Sequence, residues 1–104
     1  MAYAKKIVLH LQSTNRPGLD ALIEEFMRDG VRYVGVVGPD CALVEDLIDW
    51  ICLGPCDGAR PSYDMLTAWH ENDPLEVAIK VAAQISGDFQ GHSLGDQVQV
   101  VSIG

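Results

Sequence analysis

Cysteine is scarce in this chain and oddly numbered: three thiols, Cys41, Cys52 and Cys56, stand at no finger-like spacing. An odd count without paired CxxC units excludes a disulfide framework and a structural zinc finger, and leaves reduced thiols. Long hydrophobic runs are also missing. A membrane helix needs about 18–20 consecutive apolar residues, and the apolar runs here are a handful long. The opening MAYAKKIVLHLQ has neither the extended apolar core nor the small-residue cleavage site of a signal peptide. The expectation is a cytoplasmic protein that does not enter a membrane.

Basic residues are the third shortage. Seven Lys and Arg face fifteen Asp and Glu, for a net charge of −8. Between positions 20 and 49 stand eight acids (Asp20, Glu24, Glu25, Asp29, Asp40, Glu45, Asp46, Asp49) and two bases, Arg28 and Arg32. Direct nucleic-acid binding requires clustered Lys and Arg to neutralise phosphates, so that class is excluded, whereas a basic protein partner would be attracted. The plainer reading is that the acids keep a small domain soluble. Nucleotide signatures are missing too: neither GVVGPD nor GDFQGHSLGD matches GxGxxG or a P-loop, and no lysine follows. Asp40 would repel a phosphate at the helix start otherwise best placed to hold one. No cofactor is expected.

What is present is alternation. KKIVLHLQ (5–12) is a nearly continuous apolar run, as for a strand covered on both faces. Leu19, Leu22, Ile23, Phe26 and Met27 then recur at helical spacing, with Asp20, Glu24, Glu25 and Arg28 opposite, Pro17 at the start and Gly30 at the end. VRYVGVVG (31–38) reads as a second strand. PDCALVEDLIDWICLG reads as a second helix with Asp40 as N-cap, Leu43, Leu47, Ile48 and Ile51 as the buried stripe, and Gly54-Pro55 as the stop. YDMLTAWH (63–70) is a third strand. Asp73-Pro74-Leu75-Glu76 opens a third helix, with Asp73 as cap and Pro74 at its first position, which runs to about Ser86. VQVVSI (98–103) is the last strand.

This βαβαβαβ order predicts a single three-layer α/β domain over residues 1–104, with a mostly parallel four-stranded sheet in the flavodoxin/Rossmann-like order 2-1-3-4. In that order helix one covers one face, helices two and three share the other, and one sheet face is left under-covered. Residues Tyr63, Met65, Thr67 and Trp69, or the set between them, would then meet a second copy or a partner, unless the loop 54–62 or 87–97 folds over them.

The pair Cys52 and Cys56 in CLGPC resembles a redox motif with one residue too many. Cys52 falls in the last turn of helix two, where unpaired carbonyls oppose a thiolate, so the stretch is a helix terminus. Cys41, in the first turn of the same helix, is better placed, although Asp40, Glu45 and Asp46 would hold its thiol protonated. Position 46 is Asp where a low-molecular-weight tyrosine phosphatase has arginine. QSTN at the end of strand one supplies no phosphoacceptor acid, which excludes a receiver domain. His70 with Glu71 or Asp73 is a candidate general base or half a metal site, against the alternative of a loop histidine on a polar surface. With strand one between strands two and three, His70 and Cys41 would lie roughly 10 Å apart. His10 reads as a core or sub-surface residue.

GVRYVGVVGPDCALVEDLIDWI and LTAWHENDPLEVAI resemble a family of small uncharacterised bacterial α/β proteins of about this length. The resemblance covers most of the chain, implies the α/β fold and a bacterial or phage origin, and carries no activity. The leading expectation is therefore a non-enzymatic protein-binding module of the immunity, antitoxin or phage anti-defence kind. Its partner would be a basic toxin, nuclease or defence complex, held by Glu24, Glu25, Glu45, Asp46 and Asp49 with Trp50, Trp69 or Tyr33 as aromatic anchors. The alternatives are a small hydrolase or transferase using His70, Cys41 and the Asn15-Arg16 loop at the carboxyl edge of the sheet, and a structural subunit that works as a homodimer.

Overall fold

The computed structural model describes residues 3–54, 58 and 61–104. Four strands form one all-parallel sheet: β1 (Lys6–Leu11), β2 (Tyr33–Val37), β3 (Leu66–His70) and, last in the chain, β6 (Val98–Ile103). The helices between them are α1 (Leu19–Asp29), α2 (Cys41–Leu53) and α3 (Leu75–Gln84). A two-residue hairpin, β4 (Asp88–Phe89) and β5 (His92–Ser93), interrupts the connection from α3 to β6.

The strand order is β3-β2-β1-β6 and not the expected 2-1-3-4. The chain steps outward twice, from β1 to β2 to β3, and only then returns to the far side of β1. Right-handed crossovers that step in one direction place their helices on one face, and the returning crossover places its helix on the other. Accordingly α1 and α2 pack together over Ile7, Leu9, Leu11, Val34 and Val36. Helix α3 lies opposite, with Ala78 and Ala82 buried against Val8, Tyr33 and Val37. Periodicity locates elements but carries no sign for the direction of each crossover.

The face covered by α3 alone is completed by the connection 87–97. Leu94 is buried there, Phe89 packs beside it, and the Leu94 amide donates to the Gly87 carbonyl at 2.9 Å. Of the alternatives open for an under-covered face (a second copy, a partner, or one of the two long loops), the loop 87–97 is the one that folds over this face. Residues 55–57 and 59–60 of the other loop, and with them Cys56, lie outside the described residues.

Local chemistry explains most boundaries. Gly30, at φ 80, ends α1 in the left-handed conformation, and the Gly30 and Val31 amides close back onto the Met27 and Phe26 carbonyls. Gly38, at φ 117, lies so close to the Leu11 carbonyl that a Cβ would collide with it, so this glycine lets the chain turn from β2 into α2 across the end of β1. Lys6, fully buried, donates from Nζ to the Ile85 carbonyl at 2.7 Å, a cation at the negative end of α3. The expected caps differ. Asp40 precedes α2 but sits at φ 60 without a capping bond, and its carboxylate faces Arg16 Nη1 at 3.4 Å. Pro74, not Asp73, holds the cap position of α3, and Asp73 turns to His70. Strand β3 begins at Leu66. Tyr63 stands before it, its hydroxyl donating to the Val31 carbonyl at 2.6 Å and its ring under the Arg32 guanidinium.

Candidate protein-interaction face

Helix α2 has apolar residues on two sides. Its inner side buries Cys41, Val44, Ile48 and Cys52. Leu43 and Leu47, expected in that stripe, face outward instead, 49 % and 37 % exposed, together with Trp50 at 67 % and Leu53 at 59 %. At about 100° per residue, Leu43, Leu47 and Trp50 fall within roughly 60° of one another on the helix surface. A solvent-facing helix side normally carries charge, and among the described residues nothing covers these four large apolar side chains.

Acids flank this ridge. On the β3 side, Glu45, Asp46 and Asp49 bring carboxylate oxygens within 4.8 Å of one another. Thr67 ties the first and last of them: its Oγ1 lies 2.8 Å from Glu45 Oε2 and 2.9 Å from Asp49 Oδ1. One hydroxyl carries one proton, so both bonds are met at once only when one carboxyl is protonated and donates. Glu45 is the group placed to do so. It is 8 % exposed, and burial raises its pKa, opposed by the Thr67 bond and reinforced by Asp49 and Asp46. Glu45 therefore belongs to the α2–β3 seam, while Asp46 and Asp49 remain exposed. On the other flank α1 contributes exposed Asp20 and Glu24. Glu25 lies further round, accepting from the Tyr3 hydroxyl at 3.1 Å.

Between α1 and α2 runs a furrow. One hollow is lined by Arg16, Leu19, Asp20, Ala21 and Leu47, and the next by Asp20, Ala21, Glu24, Trp50 and Ile51. The shared residues make them continuous, with Ala21 as the low point of the α1 wall. A separate hollow between the end of α1 and Tyr63 is mostly apolar and holds Glu24 and Arg28 as its charged groups.

The aromatic anchors divide. Trp50 and Trp69 are exposed, the latter at 51 % on the same sheet face as Thr67. Tyr33, expected at the rim, is completely buried under α3, its hydroxyl close to Gly35 and with no hydrogen-bond partner among the described residues. Burial raises its pKa. A tyrosine in a β-rich run reads equally as a rim or a core residue, and the sheet order decides.

The residues considered for catalysis do not assemble. Strands β2 and β3 are adjacent, Val37 beside His70, so β1 does not separate them. His70 shares the α3 face with Val37, whereas Cys41 is buried in the core on the opposite face, and the sheet lies between them. His70 is not a loop residue: it ends β3, 8 % exposed, with Nδ1 3.5 Å from Asp73 Oδ2 and Nε2 buried with no partner among the described residues. A hollow does exist at the carboxyl edge, lined by Gly38, Asp40, Cys41, Glu71, Asn72 and Asp73 among others, but His70 does not line it. Asn15 and Arg16 lie in the loop after β1, with Arg16 turned to Asp40. His10 is half-buried, its Nδ1 3.4 Å from Ser102 Oγ. Cys52 lies in the last turn of α2 as expected, buried, with its carbonyl accepting from the Tyr63 amide at 2.7 Å. No described helix is long and apolar enough to cross a membrane.

A small α/β domain on a parallel sheet, with an apolar helix ridge held between acids, is the class these features define. The chain belongs to the family of the domain of unknown function DUF7684, whose model matches residues 2–103. No curated protein and no solved structure matches it.

Proposed function

We propose that this protein is a small, acidic, non-enzymatic protein-binding module whose working surface is the outer side of α2. The observation that carries the reading is the exposure of Leu43, Leu47, Trp50 and Leu53 on one helix beside Asp46 and Asp49. Apolar anchors supply most of an interface's affinity, and the surrounding charge sets its on-rate and selects the partner. With a net charge of −8 the complementary partner is basic, as the toxins, nucleases and defence complexes opposed by immunity proteins, antitoxins and phage inhibitors are. A cytoplasmic setting suits such a role and suits reduced thiols at positions 41 and 52.

The test is affinity capture with the wild-type chain and with Asp46→Lys/Asp49→Lys. Glu45 is left alone because it is part of the packing. Basic proteins retained by the wild type, lost with the double variant and eluted by moderate salt are the expected result. An identical captured set on both forms would end the proposal.

A further inference from the structure

Building on the binding-module reading, we infer that the occupant of this face is a basic amphipathic helix, lying as a third helix in the furrow between α1 and α2. The ridge from Leu43 to Trp50 covers about two helical turns, roughly 10 Å at the helical rise, enough to meet two successive turns of a partner. Leu47 and Trp50 line successive hollows of the furrow and Ala21 lowers its opposite wall. Side chains at i, i+3, i+4 and i+7 of an incoming helix can therefore seat between the two existing ones.

Charge selects the partner's sign on both flanks. Asp20 and Glu24 stand on the α1 wall, and Asp46 and Asp49 on the far side of α2. A helix with an apolar stripe bordered by Lys or Arg meets Asp20 and Glu24 on the α1 wall and Asp46 beyond the ridge, while Arg16, which also lines the first hollow, is already turned to Asp40. A second copy of this chain would instead bring these acids against their own kind, at −8 on each partner. An extended segment is disfavoured for another reason: the surface is made of helix side chains, so a strand laid on it finds no backbone to pair with, whereas a helix satisfies its own N–H and C=O groups.

The probe is a synthetic helical peptide of about five turns, with leucines at the stated spacing and lysines bordering them. It is compared with a scrambled peptide of identical composition and with a Lys→Glu version, by amide chemical-shift mapping on the full chain. The amphipathic peptide is expected to shift α1 and α2 resonances and to bind at least about ten-fold more tightly than the scrambled one. Trp50→Ala should weaken that binding at least about ten-fold, as loss of a central anchor does, and the Lys→Glu peptide should not bind. Equal binding by amphipathic and scrambled peptides would overturn the helix inference while leaving the acidic binding face standing. Failure of both peptides would remove the binding-face reading as well. Shifts confined to the free edge of β3, or a dimer formed through Trp50 that the peptide does not displace, would also overturn the inference.

Discussion

Helices α1 and α2 lie side by side on one face of the same sheet, yet their outer surfaces follow different rules. Helix α1 buries Leu19, Ile23 and Phe26 and turns Asp20, Glu24, Glu25 and Arg28 to solvent. Helix α2 buries a similar inner stripe but presents leucines and a tryptophan outward. Both inner stripes are explained by the core. Only α1 is explained entirely by it, and the apolar excess on α2 is what a fold would discard if folding were the helix's sole task.

The comparison is sharpened first where the two helices should behave alike. Ile23 and Ile48 are both fully buried in the same core. Each truncation to Ala should cost about 2–5 kcal/mol in denaturant unfolding, through lost transfer energy and an unfilled cavity. A much smaller loss for Ile48→Ala would mean that α2 is loosely docked, and its outer exposure would then reflect fraying. Next in size is Gly38→Ala, which puts a Cβ into the Leu11 carbonyl at a positive φ. A loss of about 2–3 kcal/mol is expected. A variant of near-native stability would show that the β2–α2 turn adapts and does not fix where α2 lies.

How much of this was readable beforehand depended on the kind of signal. The elements were legible because 3.6-residue periodicity, β-branched runs and glycine stops are local. Strand order was not, because it depends on which way each crossover steps, and that is settled by packing at a distance. From it follow the burial of Tyr33, the neighbouring of β2 and β3, and the sheet standing between Cys41 and His70. The α2 face was hidden for a different reason. CALVEDLIDWICL offers two apolar stripes, Val44-Ile48-Cys52 and Leu43-Leu47-Trp50, and propensity cannot say which one meets the sheet. The surplus itself is visible: a helix with apolar residues on two sides has more apolar surface than one core contact consumes. Charge alone groups Glu45 with Asp46 and Asp49, yet Glu45 turns into the seam while the other two stay exposed.

Glu45→Gln probes that seam with a smaller effect. A carboxyl whose folded pKa is raised binds protons more tightly folded than unfolded. Its contribution to stability is therefore complete below the unfolded value and lost as pH rises through the folded one. Wild-type stability should decline across the mildly acidic range above the ordinary glutamate pKa by more than that of the variant, whose amide does not titrate. At neutral pH the variant should be more stable by about 0.5 kcal/mol, the size of one relieved like-charge i, i+4 contact. Thermal unfolding of both forms from pH 4 to pH 7 measures the difference, and parallel curves would show that Glu45 is not strained by its neighbours.

The smallest expected effect separates the two helices most clearly. Trp50→Ala and Leu47→Ala remove large side chains from the outer side of α2, where they contribute little to the core. Each should alter unfolding stability by no more than about 0.5 kcal/mol, against the several expected at Ile48 one or two positions away on the same helix. Near-zero cost to folding for bulky apolar groups is the signature of residues kept for an encounter with another molecule. If instead these truncations cost as much as Ile48→Ala, the ridge is part of this chain's own core, and α1 and α2 differ only in how they are buried.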